Sequence, residues 1–173
     1  LESQGKRVFY FHANRFSISK AYNILQPHKV LSGKHKEDVV EANWIQIQLR
    51  KVALMIDILR FQKLFQKLEK DGYDFILSDR YFYDSIINIS YLEKSSSDLP
   101  ENKITRPDVA FYMDIRPRQI LERERRPEQG LDYLRAKTAL FRNSLEKWNL
   151  QTINADRDKE EIFEEIKNKI STL

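Results

Sequence analysis

Cysteine is absent from this 173-residue sequence, which excludes a disulfide framework, thiolate chemistry and a cysteine-ligated zinc site. Glycine is almost as scarce, with four residues in all. None of them stands five residues ahead of Gly33, so Gly33-Lys34 is not the end of a Walker A loop. The three histidines, His12, His28 and His35, are not spaced as metal ligands. No apolar run reaches the length of a membrane span and no signal peptide is present, so a soluble, cytoplasmic protein with no membrane partner is expected. An excess of one charge is also missing. Thirty Lys and Arg against 26 Asp and Glu leave a net +4. That is too little to define a nucleic-acid binder, and no basic stripe or base-stacking motif is present. A modest basic excess does suit a site for small polyanions. Poverty in Cys and Met with richness in Lys, Glu and Ile leans towards a thermophilic protein.

What is there is one domain's length of chain, enough to bury a proper core. Leu1 is not a start methionine, and Leu1-Glu2-Ser3-Gln4-Gly5 reads as the last turn of a helix stopped by glycine, so an upstream segment is expected. Residues 7–11 form an aromatic, β-branched strand, followed by a loop at 12–15 and a short helix at 17–25. Residues 32–36 read as a basic loop. A helical pattern without Gly or Pro runs from 37 to 70 and stops at Gly72, with room for a break near Arg50. Its second half carries too many apolar residues for one buried face, which predicts burial against both a sheet and a second subunit. Strands follow at 74–78, 109–113 and 151–154, and helices at 83–92, 117–126, 130–147 and 158–170. The strands lack polar alternation, so they are expected to be covered on both faces. Strands alternating with helices predict a doubly wound α/β fold with a parallel sheet and helices on both faces. Only four strands are visible, so its central strand is expected upstream.

The most informative feature is Asp79-Arg80-Tyr81, directly after the apolar run Phe75-Ile76-Leu77. An acid and an arginine at the carboxyl end of a strand sit where open parallel sheets bind ligands. The arginine can fork onto a phosphate, and the carboxylate can hold magnesium or receive a proton. The plainer alternative is a structural Asp-Arg pair.

Four segments, in order, give the chain a resemblance to the thymidylate kinase family of P-loop nucleoside monophosphate kinases. Gly5-Lys6-Arg7-Val8-Phe9-Tyr10-Phe11 resembles the family's second strand. Ile76-Leu77-Ser78-Asp79-Arg80-Tyr81 resembles its Asp-Arg-Tyr motif. Arg106-Pro107-Asp108-Val109 through Met113-Asp114-Ile115 resembles its Pro-Asp strand, which leads into an arginine-bearing lid at Leu121-Glu122-Arg123-Glu124-Arg125-Arg126. Ile153-Asn154-Ala155-Asp156 resembles its Ile-Asp-Ala turn against adenine. Two departures stand out. The P-loop is absent from these residues, and Asp84 stands where better-known members have Ser, which points to a divergent branch.

The resemblance implies a single nucleoside-monophosphate-kinase-like domain over 1–173, with a lid at 117–132. The implied activity is ATP-dependent phosphoryl transfer to a (deoxy)nucleoside monophosphate, most readily dTMP to dTDP, with Mg2+ as cofactor and a homodimer as the assembly. Arg80 would clamp the acceptor phosphate, and Asp79 would hold magnesium or orient the acceptor. Arg15 would add a phosphate contact, Arg60 would face the acceptor, Tyr81 would stack on the base, and Asp84 would approach the acceptor or cap its helix. Arg123 and Arg126 would close on the transferring phosphate. Arg125, Asn154, Ala155 and Asp156 would contact ATP. Arg123, Arg125 and Arg126 cannot all face one way, since adjacent helical residues point about 100° apart. Two alternatives stay open: a nucleoside kinase of the same superfamily, or a kinase-like module that binds nucleotides or a partner without catalysis.

Overall fold

The computed structural model describes residues 2–18, 44–94, 99–122 and 130–171. The expected helix at 17–25 beyond Ile18, the basic loop at 32–36, the start of the long helix and the lid arginines lie outside the described residues. The chain divides into two compact units, Leu1–Thr105 and Arg106–Leu173.

In the first unit a single 3-10 turn, Glu2–Gln4, closes on Gly5, which takes a φ of +76° and donates its N–H to the Glu2 carbonyl at 2.9 Å. Strand β1 (Val8–Phe11) follows, then α1 (Ala13–Phe16), α2 (Trp44–Lys70), β2 (Phe75–Ser78) and α3 (Phe82–Glu93). β1 and β2 pair in parallel, with Val8 opposite Phe75 and Phe11 opposite Ser78. Residues 12–15, expected as a loop, instead begin one helical turn: Phe16 and Ser17 donate their N–H groups to the carbonyls of His12 and Ala13. Four residues are too few to display a helical period in sequence.

Helix α2 runs unbroken through Arg50, because nothing in its sequence removes a backbone donor or forces a positive φ. Gly72 ends it. With φ at +74°, it donates to the Glu69 carbonyl while Tyr73 donates to that of Leu68, the paired bonds of a Schellman cap. The Arg7 side chain covers the freed carbonyl of Asp71 and lies 4.6 Å over the Tyr73 ring. Ile47, Leu54, Ile58, Phe61 and Leu68 form the buried stripe of α2. Phe11 of β1, Phe61 of α2 and Phe82 of α3 meet there, at centroid distances of 4.6, 6.0 and 5.4 Å. Lys51 and Glu93 tie α2 to α3 with a 2.7 Å ion pair.

The second unit holds β3 (Ala110–Asp114), α4 (Pro117–Glu122), α5 (Gly130–Ser144), β4 (Leu150–Asn154) and α6 (Lys159–Ser171). β3 and β4 are also parallel, with Ala110 opposite Leu150 and Asp114 opposite Asn154. Tyr112 stacks on Phe141 at 5.3 Å, and Trp148 meets Phe141 edge-on. Burial, helped by the nearby Asp114 carboxylate, pushes the Tyr112 phenol above its usual range.

All strand pairing among the described residues is parallel, as expected, but it forms two separate two-stranded sheets. Full burial of the strands is not found. Tyr10 is 67% and Met113 42% exposed, and of the strand residues only Phe11 and Ile153 are buried. A two-stranded sheet has no central strand, so an unbroken apolar sequence no longer implies cover on both faces.

Candidate functional site

Parallel pairing brings the carboxyl ends of β1 and β2 to one edge, and the residues that follow each strand leave together. The Asp79 N–H continues the ladder to the Phe11 carbonyl at 3.0 Å. The Asp79 side chain then stands 85% exposed, with its Oδ2 3.7 Å from Nε2 of His12. The chain turns sharply at Arg80, whose φ is +64°. An L-residue in the left-handed region costs about 1–2 kcal/mol. The Ser78 hydroxyl holds the turn by donating to the Arg80 carbonyl at 2.6 Å. That turn projects the arginine from the sheet edge. Its guanidinium donates to Oδ1 of Asp84, in the first turn of α3, at 3.1 Å, and remains 51% exposed. Arg80 and Asp84 are thus brought together, while the exposed Asp79 carboxylate stands by His12.

Tyr81 is built into the aromatic cluster: its ring meets Phe61, Phe82 and Tyr83 at 5.7, 4.9 and 5.5 Å, and its hydroxyl donates to the Thr105 carbonyl. Burial, followed by the neighbouring Tyr83 phenol, pushes its pKa far up. Arg60 donates to Oδ1 of Asp57 and to the Phe16 carbonyl, both at 3.0 Å, and lies 4.3 Å over the Phe16 ring. Asp57 is buried and also accepts the Ile18 N–H. Arg60 therefore braces the segment that carries Arg15, which is itself exposed.

In the second unit Asn154, Ala155 and Asp156 form a turn whose polar groups bond locally. Oδ1 of Asn154 accepts the Asp156 N–H at 3.0 Å, and the Ala155 N–H reaches the Asp114 carbonyl at 2.8 Å. The Asp156 carboxylate accepts from Arg116 and Gln119. Asp114 holds Arg142 with both oxygens, at 3.0 and 3.1 Å. Arg123, Arg125 and Arg126 lie outside the described residues.

Among the described residues no group of three or more His, Cys, Asp or Glu side chains is arranged to hold a metal. A lone exposed carboxylate such as Asp79 fits magnesium that keeps waters and substrate phosphates as its other ligands. No described helix is long and apolar enough to cross a membrane. His12 and Asp57 escaped the sequence reading. A lone histidine after a strand and an aspartate inside a long helix carry no spacing signal.

No protein-family model matches this chain, and no curated protein matches its sequence. Among solved structures, a deoxyadenosine kinase from M. mycoides with bound dATP is similar: it aligns over 95% of this chain and 99% of its own, at 14% identity and a TM-score of 0.45.

Proposed function

We propose that this chain carries the acceptor side of an ATP-dependent phosphotransferase acting on a (deoxy)nucleoside monophosphate, with thymidylate the first candidate. One observation carries the reading: Arg80, in a left-handed backbone conformation at the carboxyl edge of a parallel strand pair, offers a half-exposed guanidinium held by Asp84, and its chain neighbour Asp79 presents an open carboxylate beside His12. Transfer of a phosphoryl group asks mainly for positioned charge. A guanidinium offers two parallel N–H groups to phosphate oxygens, and a local carboxylate counter-ion keeps it extended until a stronger anion arrives. Exposed Arg15 stands one turn beyond β1 as a second phosphate contact.

The remaining parts of the proposal follow from the resemblance. Arg123 and Arg126 close over the transferring phosphate. Arg125 and the Asn154-Ala155-Asp156 turn take ATP. Asp79 would hold magnesium, which would supply charge neutralisation at the phosphates. The resemblance also implies that the 173 residues belong to one doubly wound kinase domain; parallel pairing within each strand pair is compatible with that fold class. The assembly is a homodimer. Its support is a stripe on α2, Ile45, Leu49, Val52, Ile56 and Leu59, all apolar and 37–60% exposed. Their alternating spacing of four and three is that of a two-helix seam.

In the P-loop kinases that the chain resembles, phosphoryl transfer relies on a P-loop, which these residues do not contain. The test is therefore a coupled ADP-release assay on the protein from its complete reading frame, across a panel of nucleoside monophosphates. Turnover fastest with dTMP is expected. ATP binding with no turnover of any monophosphate sinks the reading.

A further inference from the structure

Among the described residues the ring of His12 has no hydrogen-bond partner at either nitrogen. Nδ1 is buried without a partner, and Nε2 stops 3.7 Å from Oδ2 of Asp79, beyond bonding distance. A buried N–H with no acceptor is rarer and dearer than a buried lone pair. The proton therefore belongs on Nε2, on the side of Asp79. The site edge then carries a donor and an acceptor-only carboxylate side by side, unsatisfied by each other. One oxygen at about 2.8 Å from each satisfies both if it can accept and donate at once. A hydroxyl does this. An ionised phosphoryl oxygen has no hydrogen for Asp79 and is repelled by it. A hard cation has little use for an imidazole.

We propose that His12 and Asp79 form a hydroxyl-binding pair that takes the 3′-hydroxyl of the acceptor's sugar, while Arg80 and Arg15 take its phosphate. The inference rests on the phosphotransferase reading, whose acceptor carries phosphate and hydroxyl on one pentose. His12 Nε2–H donates to the hydroxyl oxygen, and the hydroxyl donates to Oδ2 of Asp79, whose other oxygen is left for the magnesium of the phosphotransferase reading. His12 is a specificity residue: it orients the sugar and takes no proton from it.

The test crosses two acceptors, dTMP and its 2′,3′-dideoxy analogue, with three proteins from the complete reading frame: unmodified, His12→Leu and His12→Gln. Leucine suits the buried, partnerless side of the ring and protects folding. Glutamine keeps an amide N–H near the place of Nε2. The unmodified enzyme is expected to favour dTMP by about 10- to 100-fold in kcat/KM, the scale of a hydrogen bond to a charged group. His12→Leu should shrink that ratio to about threefold or less, and His12→Gln should recover part of it. A purely structural His12 changes Tm in both variants and leaves the ratio untouched, which overturns the proposal while the kinase reading stands. Equal use of both acceptors by the unmodified enzyme does the same. Absence of turnover with every acceptor removes the kinase reading and this pair with it.

Discussion

The buried carboxylate of Asp57 holds the Arg60 guanidinium, one turn further along α2, at 3.0 Å, and accepts the Ile18 N–H with its two oxygens at 3.1 and 3.2 Å. One side chain thereby fixes both an arginine and the backbone that follows α1. Removing it leaves a buried N–H without an acceptor and an arginine without its counter-ion. Asp57→Ala is expected to lose about 2–3 kcal/mol in urea unfolding. Arg60, partly exposed, is expected to lose about 1 kcal/mol on change to Ala. An Arg60→Ala protein of unchanged stability but raised acceptor KM would make it a substrate contact instead.

Arg80 separates backbone from side chain in a way few arginines allow. Its φ of +64° is one that glycine adopts without penalty. Arg80→Gly should therefore fold as well as the parent, or up to about 1 kcal/mol better, while losing about 3 kcal/mol of transition-state stabilisation. Arg80→Ala should lose the same activity and also some stability. If Arg80→Gly is fully active, the guanidinium has no part in the reaction, and thermal melts beside steady-state rates would show it.

The strands of this protein are legible because Val-Phe-Tyr-Phe, Phe-Ile-Leu and Ala-Phe-Tyr-Met are apolar runs bounded by charge or turn residues, and the observed ends differ from expectation by one residue or so. The stop of α2 was equally plain, since Gly72 is the first residue able to close it. The strained turn at Arg80 was hidden, because Asp-Arg-Tyr contains no glycine to announce a positive φ. The pairing of strands two by two was hidden as well, since partner choice depends on contacts far apart in sequence. The same holds for Asp57 and His12: burial of one carboxylate and isolation of one ring arise only when distant segments meet.

The exposed stripe on α2 gives a separate test. Glu at Val52 or Leu59 places charge in the middle of a proposed helix seam without touching the buried stripe opposite. Either variant should keep its helical circular dichroism and sediment as a monomer at micromolar concentration, where the parent sediments as a dimer. A monomeric parent ends the homodimer proposal.

Tyr81 should ionise late. Its phenol is buried and its pKa raised above the ordinary value near 10. The folded state thus keeps its proton longer than the unfolded chain does. The stability linked to this group is complete below pH 10 and falls as pH climbs beyond it. Absorbance near 295 nm should show Tyr81 titrating later than the exposed tyrosines, and Tyr81→Phe should remove one phenol from that late phase, to which the raised Tyr112 also contributes. Ionisation of Tyr81 near pH 10 in the native protein would contradict its packing.

Both strand pairs are parallel, and parallel neighbours cannot be joined by a tight hairpin. The bond from the Arg7 N–H to Asp74 at the start of the first pair closes a loop 67 residues long, whereas Ala110 finds Leu150 across a shorter crossover. The extra closure entropy is under about 0.6 kcal/mol, because the cost rises only with the logarithm of length. Rate is more sensitive than stability to such separations. The chain after Arg106 should gain its amide protection first in pulse-labelled refolding, and the edge bearing Arg80 should be among the last parts of the molecule to take shape.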